Sequence, residues 1–285
     1  MHNCTRRSGP AHFCLPGQVG QGVVQVNRYE RLNRLLGLLA DDGSIEVERA
    51  ARLLQVSAAT IRRDLDHLAG QQLLTRTRGG AVAHNVSYDL PLRYKAGRQT
   101  STKQRIGEAA AALVEPGMVV GLNGGTTTTE LARALVTRPD LQNGADPAIT
   151  VVTNALNIAN EMAFRRNVKI VLTGGVARPQ SFELFGPLAE RVLADVHVDM
   201  TFLGVEGIDA EDGAFTAHEG EASVNRLLAK RATTVSVVTD STKLGLRTFA
   251  HIWPTSDVTT LVTDTDADPR QVAAFTAAGV DVKLV

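Results

Sequence analysis

Residues 44–82 read SIEVERAARLLQVSAATIRRDLDHLAGQQLLTRTRGGAV. Ala58, Ile61, Leu65 and Leu68 recur at helical spacing and form one apolar stripe that must pack against neighbours. At about 100° per residue, Ala59, Thr60, Arg63, Asp66 and His67 point away from that stripe, with Arg62 on its flank. Ser57 precedes this helix as its N-cap, its hydroxyl suited to an orphan amide of the first turn. Val47, Ala50, Ala51 and Leu54 mark a shorter helix just before it, and Gln55-Val56 is the tight connection. After Leu73-Leu74, Thr75-Arg76-Thr77-Arg78 places Arg76 and Arg78 on one face of an extended strand, and Gly79-Gly80 allows a close backbone approach. Helix, turn, helix and basic hairpin in this order make a winged helix-turn-helix. The N-terminal turn of its second helix enters the major groove of DNA, so Ser57, Ala59, Thr60, Arg62 and Arg63 are the expected contacts there. Arg76, Arg78 and Gly79 are the expected contacts of the wing with the phosphate backbone or minor groove.

A net charge of zero over 285 residues argues against a nucleic-acid partner only on average. Residues 1–105 carry 16 Lys+Arg against 8 Asp+Glu, a net of +8, and residues 106–285 carry 14 against 22, a net of −8. A basic module joined to an acidic partner domain gives this split, and only the basic module docks on phosphate. The length exceeds a single core of about 100–200 residues, so the sequence divides in two. Residues 27–83 form the winged helix-turn-helix, whose first helix begins at Asn27 or Arg28, carries Leu32, Leu35, Leu36 and Leu39, and closes at Asp41-Asp42-Gly43. Residues 84–102 lack periodicity, hold Pro91, Gly97, Arg93, Lys95 and Arg98, and read as a linker lying along DNA or the domain interface. Residues 103–285 form the second domain. Residues 1–26, rich in Gly, Pro and polar residues, read as a disordered extension without the apolar core of a signal peptide. They hold the only cysteines, Cys4 and Cys14, which leaves no cysteine for a metal or disulfide in either domain and fits a cytoplasmic setting. No apolar run approaches the roughly 20 residues of a membrane span.

From Lys103 onward short apolar strands alternate with helices. Strands are expected at 118–122, 149–152, 168–172, 200–205, 234–239, 258–262 and 280–285, with helices at 127–136, 155–165, 188–196 and 221–231. Val/Ile/Leu strands separated by amphipathic helices imply a mostly parallel sheet covered on both faces, with ligands beyond the carboxyl ends of the strands. The chain as a whole is therefore an α+β two-domain chain, its second domain α/β. Asn123-Gly124-Gly125-Thr126-Thr127 follows the first strand and runs into a helix, an anion site of free amides, helix dipole and threonine hydroxyls. It spells neither a P-loop nor GxGxxG, so neither a nucleoside triphosphate nor a dinucleotide cofactor is expected. Asn154, Gly175 with Arg178 beyond it, Glu206 and Lys243 follow the next strands. Together with Asn123, Gly125, Thr126 and Thr127 they form a small-molecule pocket, Lys243 being the cation for a phosphate and Glu206 an acceptor for sugar hydroxyls.

The sequence resembles the DeoR family of bacterial transcriptional regulators. The resemblance covers residues 28 to about 264 and rests on VSAATIRRDLDHLAGQQLLTRTRGGAV at 56–82, GGTTT at 124–128 and VVTNALNIAN at 151–160. LTGG at 172–175, VDMTFLGVEGID at 198–209 and DSTKLG at 240–245 complete it. It implies a C-terminal domain of the ribose-5-phosphate isomerase/CoA-transferase type that binds a phosphorylated sugar and controls operator binding. It also implies a repressor of a sugar-catabolic operon working as a homo-oligomer, a dimer or tetramer. Where the family commonly has an acidic residue two positions before GTT, this chain has Asn123; an amide both donates and accepts, and removes a negative charge beside the phosphate.

Two other functions compete. A sugar-phosphate isomerase-like enzyme would use Glu206 and Glu221 as bases and Lys243 to stabilise an enediolate. No nucleophile–base pair stands at recognisable spacing, however, and His197, His218 and His251 show no evident partners. An architectural DNA binder would have no effector. An intact DNA-binding module on the same chain favours sensing without turnover, with no catalytic residue, metal or cofactor.

Overall fold

A computed structural model describes residues 27–71, 73–83, 92, 100–142 and 146–285. The expected N-terminal extension, with Cys4 and Cys14, and the linker cations Arg93, Lys95 and Arg98 lie outside the described residues.

The basic half opens with α1 (Arg28–Asp42), whose N-cap Asn27 accepts from the Glu30 amide and whose end is turned by left-handed Gly43. β1 (Ser44–Glu46), α2 (Val47–Leu54), α3 (Ala58–Gly70), β2 (Leu74–Arg76) and β3 (Gly80–Ala83) follow. Leu32, Leu35, Leu36 and Leu39 of α1 pack with Ile61, Leu65 and Leu68 of α3 and with Leu54 and Leu74 in one core. The Ser57 hydroxyl accepts from the Thr60 amide at 3.1 Å and caps α3. The wing differs from expectation in two respects. It is a three-stranded antiparallel sheet in the order β1-β3-β2, because the three residues before α2 pair with Gly80–Val82. Gly80 is needed for that pairing, since a Cβ on it would lie 1.9 Å from the Ile45 carbonyl oxygen. β2 also ends at Arg76, so Arg78 does not share its strand face but sits in the tip closed by the Thr77 amide on the Gly80 carbonyl.

Asp64, one residue past the arginine pair, is on the inner side of α3 and only 3% exposed. It accepts from Arg31 Nε at 2.5 Å and lies 3.8 Å from Arg28 Nε, joining α3 to α1. Asp64→Ala removes the carboxylate that offsets the burial of Arg31, and is expected to cost about 3 kcal/mol in urea unfolding of this domain. Asp64→Ala with unchanged stability would show that the pair holds nothing together.

The acidic half begins with α4 (Thr100–Ala111), three residues inside the expected linker. Seven parallel strands then form one sheet in the order β15-β14-β12-β9-β4-β5-β6. These are β4 (Val119–Leu122), β5 (Ile149–Thr153), β6 (Val168–Leu172), β9 (Val198–Gly204), β12 (Ala232–Val238), β14 (Thr260–Thr263) and β15 (Asp281–Leu284). Successive strand residues enter different cores: Val151, Phe202 and Val238 join the side of Ile106, Leu131 and Ile158, whereas Val152, Leu203 and Val237 join the opposite side. α4, α5 (Thr126–Thr137), α6 (Pro139–Gln142) and α7 (Leu156–Met162) cover the first face; α8 (Pro187–Ala194), α9 (Glu219–Lys230) and α10 (Pro269–Ala277) cover the second. Burial on both faces explains why these strands read as unbroken apolar runs.

The chain starts this sheet in its middle with β4, moves outward through β5 and β6, then returns to β9 on the other side of β4. The strand order thus reverses between β4 and β9, where open parallel sheets bind ligands. Two small additions border that point: a hairpin of β7 (Val176–Ala177) and β8 (Leu184–Phe185), and a sheet of β10 (Gly207–Asp209), β11 (Gly213–Thr216) and β13 (Ala250–Trp253).

Candidate functional site

On α3, Ser57, Ala59, Arg62 and Arg63 are exposed, and Thr60 is half-buried beside its cap, its hydroxyl 2.9 Å from that of Ser57. Arg62 reaches Glu48 only at 3.5 Å, and Arg63 Nε donates to the Ala59 carbonyl at 3.4 Å. Such long, solvent-exposed contacts hold a side chain weakly, so both guanidiniums swing outward at little cost. Arg78 and Gly79 are exposed at the wing tip. Arg76 is placed otherwise: its Nε donates to Asp66 at 2.8 Å, and its Nη1 donates to the Gly80 carbonyl. It braces the wing against α3, where the sequence reading had it facing DNA.

The second site is a cleft of about 610 Å³, its open mouth included, at the β4/β9 reversal. Asn123 closes the sheet there, its Nδ2 donating to the Gly204 carbonyl at 2.9 Å while its Oδ1 accepts from the Gly204 amide at 2.7 Å. The amide thus uses both its capacities on the backbone of the neighbouring strand end, a pairing that a carboxylate could only half make. Gly124 and Gly125 lead into α5, whose first intrahelical bond is the Thr129 amide on the Gly125 carbonyl. The amides of Thr126, Thr127 and Thr128 precede that bond and have no acceptor within the helix. Thr128 and Thr129 turn their hydroxyls back onto the Gly125 carbonyl, so the cleft is lined by Thr126 and Thr127 instead.

Lys243 lines the same cleft, donating from Nζ to the Val205 carbonyl at 2.6 Å. The same four-residue loop carries Asp240, which lies 4.0 Å from the buried Lys103 ammonium in the first turn of α4. Glu206 accepts from the Ala217 amide at 2.7 Å. Arg178 pairs with Glu221 at 3.1 Å, and Glu221 also accepts from the Ser181 and Thr216 hydroxyls. Leu92, in the segment between the two halves, donates its amide to the Gln180 carbonyl at 2.6 Å and lines the cleft.

Two expected residues stand behind the wall. Asn154 is fully buried, its Nδ2 sharing two protons among Glu183 Oε2 at 3.1 Å, Asn225 Oδ1 at 3.2 Å and the Leu184 carbonyl at 3.4 Å; Gly175 packs on Phe185, whose carbonyl oxygen would lie 2.7 Å from a Cβ there. Glu183, which sequence reasoning missed, lines the cleft instead. Burial pushes its carboxyl well above the usual glutamate range, the neighbouring Glu221 and Glu206 charges push further, and hydrogen bonds from Asn154 and Asn225 oppose the shift. His218 also has a role not foreseen: its Nδ1 accepts from the Glu221 amide as N-cap of α9, and its ring stands edge-on to Phe185.

A winged helix-turn-helix joined to an α/β domain with an anion-ready cleft at its sheet reversal defines a DNA-binding protein with a small-molecule sensor. The DeoR-like helix-turn-helix domain matches residues 31–86, and the DeoR C terminal sensor domain matches residues 98–265. The chain belongs to the DeoR family of transcriptional regulators. It is similar to the HTH-type transcriptional regulator GlpR of Haloferax volcanii, 34% identical over 89% of this chain and 96% of the relative. The HTH-type transcriptional repressor GlcR of Bacillus subtilis is 34% identical over 82% of this chain and 88% of its own length. The Escherichia coli glycerol-3-phosphate regulon repressor is 28% identical over 82% and 90%. A ribose 5-phosphate isomerase A from Methanocaldococcus jannaschii superposes on 51% of this chain and 54% of its own at 20% identity and a TM-score of 0.37, too slight a likeness to bear on function. The chain is a regulator, and the isomerase-like enzyme reading is set aside. Among the described residues, no helix is long and apolar enough to cross a membrane.

Proposed function

We propose that this chain is a cytoplasmic repressor of a sugar-catabolic operon whose hold on its operator is set by a phosphorylated sugar in the cleft. The observation that carries this reading is that one cleft, at the sheet reversal, is lined both by the first turn of α5, whose leading amides have no acceptor within the helix, and by Lys243. Amides and helix dipole take the phosphate, Lys243 supplies a full charge, and Glu206 with the Arg178–Glu221 pair offers acceptors and donors to sugar hydroxyls. α3 reads the major groove through Arg62 and Arg63, with Arg78 at the wing tip meeting the backbone. Acting as a dimer or tetramer, the sensor would set the spacing of two α3 helices against two operator half-sites.

Leu92 ties the two ends of this proposal together. It belongs to the stretch joining the DNA-binding module to the sensor, yet its side chain is part of the cleft wall and its amide is bonded to Gln180. An effector that fits better with Leu92 in one position than in another shifts the module attached to it. The test is a thermal-shift screen of sugar phosphates, followed by a gel shift on the DNA upstream of the chain's own gene. A compound of the panel should raise the melting temperature and change operator retention at the same concentration. A full panel that moves neither would leave an architectural DNA binder.

A further inference from the structure

One side chain that lines the cleft, Glu183, takes no part in the phosphate and sugar contacts assigned above. Glu183 is 4% exposed, and its Oε2 accepts two hydrogen bonds, from Asn154 Nδ2 at 3.1 Å and Asn225 Nδ2 at 3.2 Å. The neighbouring acceptors favour this direction for the bonds. Asn154 Nδ2 also faces the Leu184 carbonyl, which only accepts, and Asn225 Oδ1, so this nitrogen is a donor and Asn225 presents its own nitrogen to Glu183. Oε1 is the other carboxyl oxygen. It lies against Gly124, where a Cβ would come within 2.6 Å of it, and among the described residues it makes no hydrogen bond.

With Oε2 held as the acceptor of two amides, the proton of the carboxylic acid belongs on Oε1, the oxygen beside Gly124 in the cleft lining. We propose that Glu183 is a specificity-determining residue of the sensor, a neutral acid whose Oε1–H donates to an oxygen, carbonyl or hydroxyl, of the bound sugar phosphate. This rests on the reading of the cleft as the effector site. The groups facing Glu183 keep it neutral: Glu221 on α9 and Glu206 beyond β9 repel a further negative charge, Arg178 is engaged by Glu221, and Lys243 stands at the Val205 carbonyl. His218, at the start of α9, accepts from the Glu221 amide and turns its ring to Phe185. Desolvation acts in the same direction. A neutral donor here reads an oxygen atom without adding a third carboxylate charge, beside Glu206 and Glu221, to the phosphate's surroundings, and it discriminates against a ligand that presents an ammonium at that point.

The test uses the full-length protein, ribose 5-phosphate, fructose 6-phosphate and glucose 6-phosphate as probes, and the variants Glu183→Gln, Glu183→Ala and Lys243→Ala. Infrared difference spectra of wild type against Glu183→Gln at pH 7 should show a protonated carboxylic acid that the variant lacks; a carboxylate pair in its place overturns the proposal without any ligand. Gln keeps both the acceptor for the two asparagines and a donor toward the cleft. Glu183→Gln should therefore bind the probe within about two-fold of wild type at pH 7, and Glu183→Ala about ten-fold more weakly. Raising the pH through the elevated Glu183 titration removes the donor from wild type only, so wild-type affinity should fall relative to Glu183→Gln. Equal affinities of all three proteins at every pH, with binding still dependent on Lys243, would overturn the role of Glu183 and spare the effector site. Absence of binding to wild type, or binding indifferent to Lys243→Ala, would overturn the effector site and this inference with it.

Discussion

Alanine at both Arg62 and Arg63 is expected to abolish sequence-specific operator binding while leaving the fold and effector affinity intact. Both side chains project from the first half of α3, and neither has a contact that holds it: one reaches Glu48 at 3.5 Å, the other its own helix at 3.4 Å. A bidentate contact to a base edge is worth about 1–3 kcal/mol, so losing two costs about 2–6 kcal/mol, from roughly thirty-fold to more than ten-thousand-fold in affinity. The single variants separate the roles. One that reads a base relaxes specificity at a position of the operator; one that clamps a phosphate weakens all sequences alike and lowers the dependence on salt. Fluorescence anisotropy on the operator and on scrambled DNA, at several salt concentrations, measures both. Wild-type operator affinity in the double variant would remove α3 as the reading helix. Arg76→Ala is a useful contrast, because it frees Asp66 and the Gly80 carbonyl and acts by loosening the wing.

The second large effect is expected at Lys243. Lys243→Ala should eliminate the response to the effector and leave operator binding as it is, because Lys243 belongs to the sensor and not to the DNA-binding module. Its ammonium is fixed at 2.6 Å from the Val205 carbonyl, directly after β9 and beside the strand end that Asn123 clamps. A charge-assisted hydrogen bond to phosphate contributes about 1.5–3 kcal/mol, and the amides of α5 alone do not replace it. Calorimetric titration of the sugar phosphate that shifts the melting temperature, together with operator retention at saturating concentration, decides the matter. A variant that still responds at the wild-type concentration would move the phosphate away from Lys243.

The parts of this molecule that the sequence states openly are those governed by local rules. The leucine stripe of α1, the Ser57 cap and the long apolar strands each carry their own signal, because caps, helix faces and doubly buried strands are set by neighbours in the chain. β1 and β13 are short, and what makes them strands is a partner far away in sequence, β3 and β11; the β7-β8 and β10-β11 hairpins are local but too short to carry a periodic pattern of their own. The cleft shows the same division. Gly125, Thr126, Thr127, Arg178, Glu206 and Lys243 follow strand ends and line it, a position that topology alone predicts. Asn154 and Gly175 also follow strand ends, yet lie behind the wall, because side-chain direction at a strand end is decided by what packs there. Glu183 stood in a segment, Ser181-Phe182-Glu183-Leu184-Phe185, with nothing to mark it as buried. The hydrogen bonds that hold its carboxyl come from Asn154 and Asn225, 29 and 42 residues away.

The loop from Asp240 to Lys243 faces two ways, its cation toward the cleft and its carboxylate toward Lys103 at the root of α4. α4 is the first helix of the sensor after the stretch that joins it to the DNA-binding module, so on the reading proposed above a movement of this four-residue loop bears on both ligand and operator. Linkage then runs in both directions. By whatever factor the sugar phosphate changes the grip on DNA, a bound operator must change the grip on the sugar phosphate. Copies sitting on their target genes therefore respond at a different metabolite concentration from those free in solution, and the threshold at which transcription changes is set by the DNA as much as by the cleft.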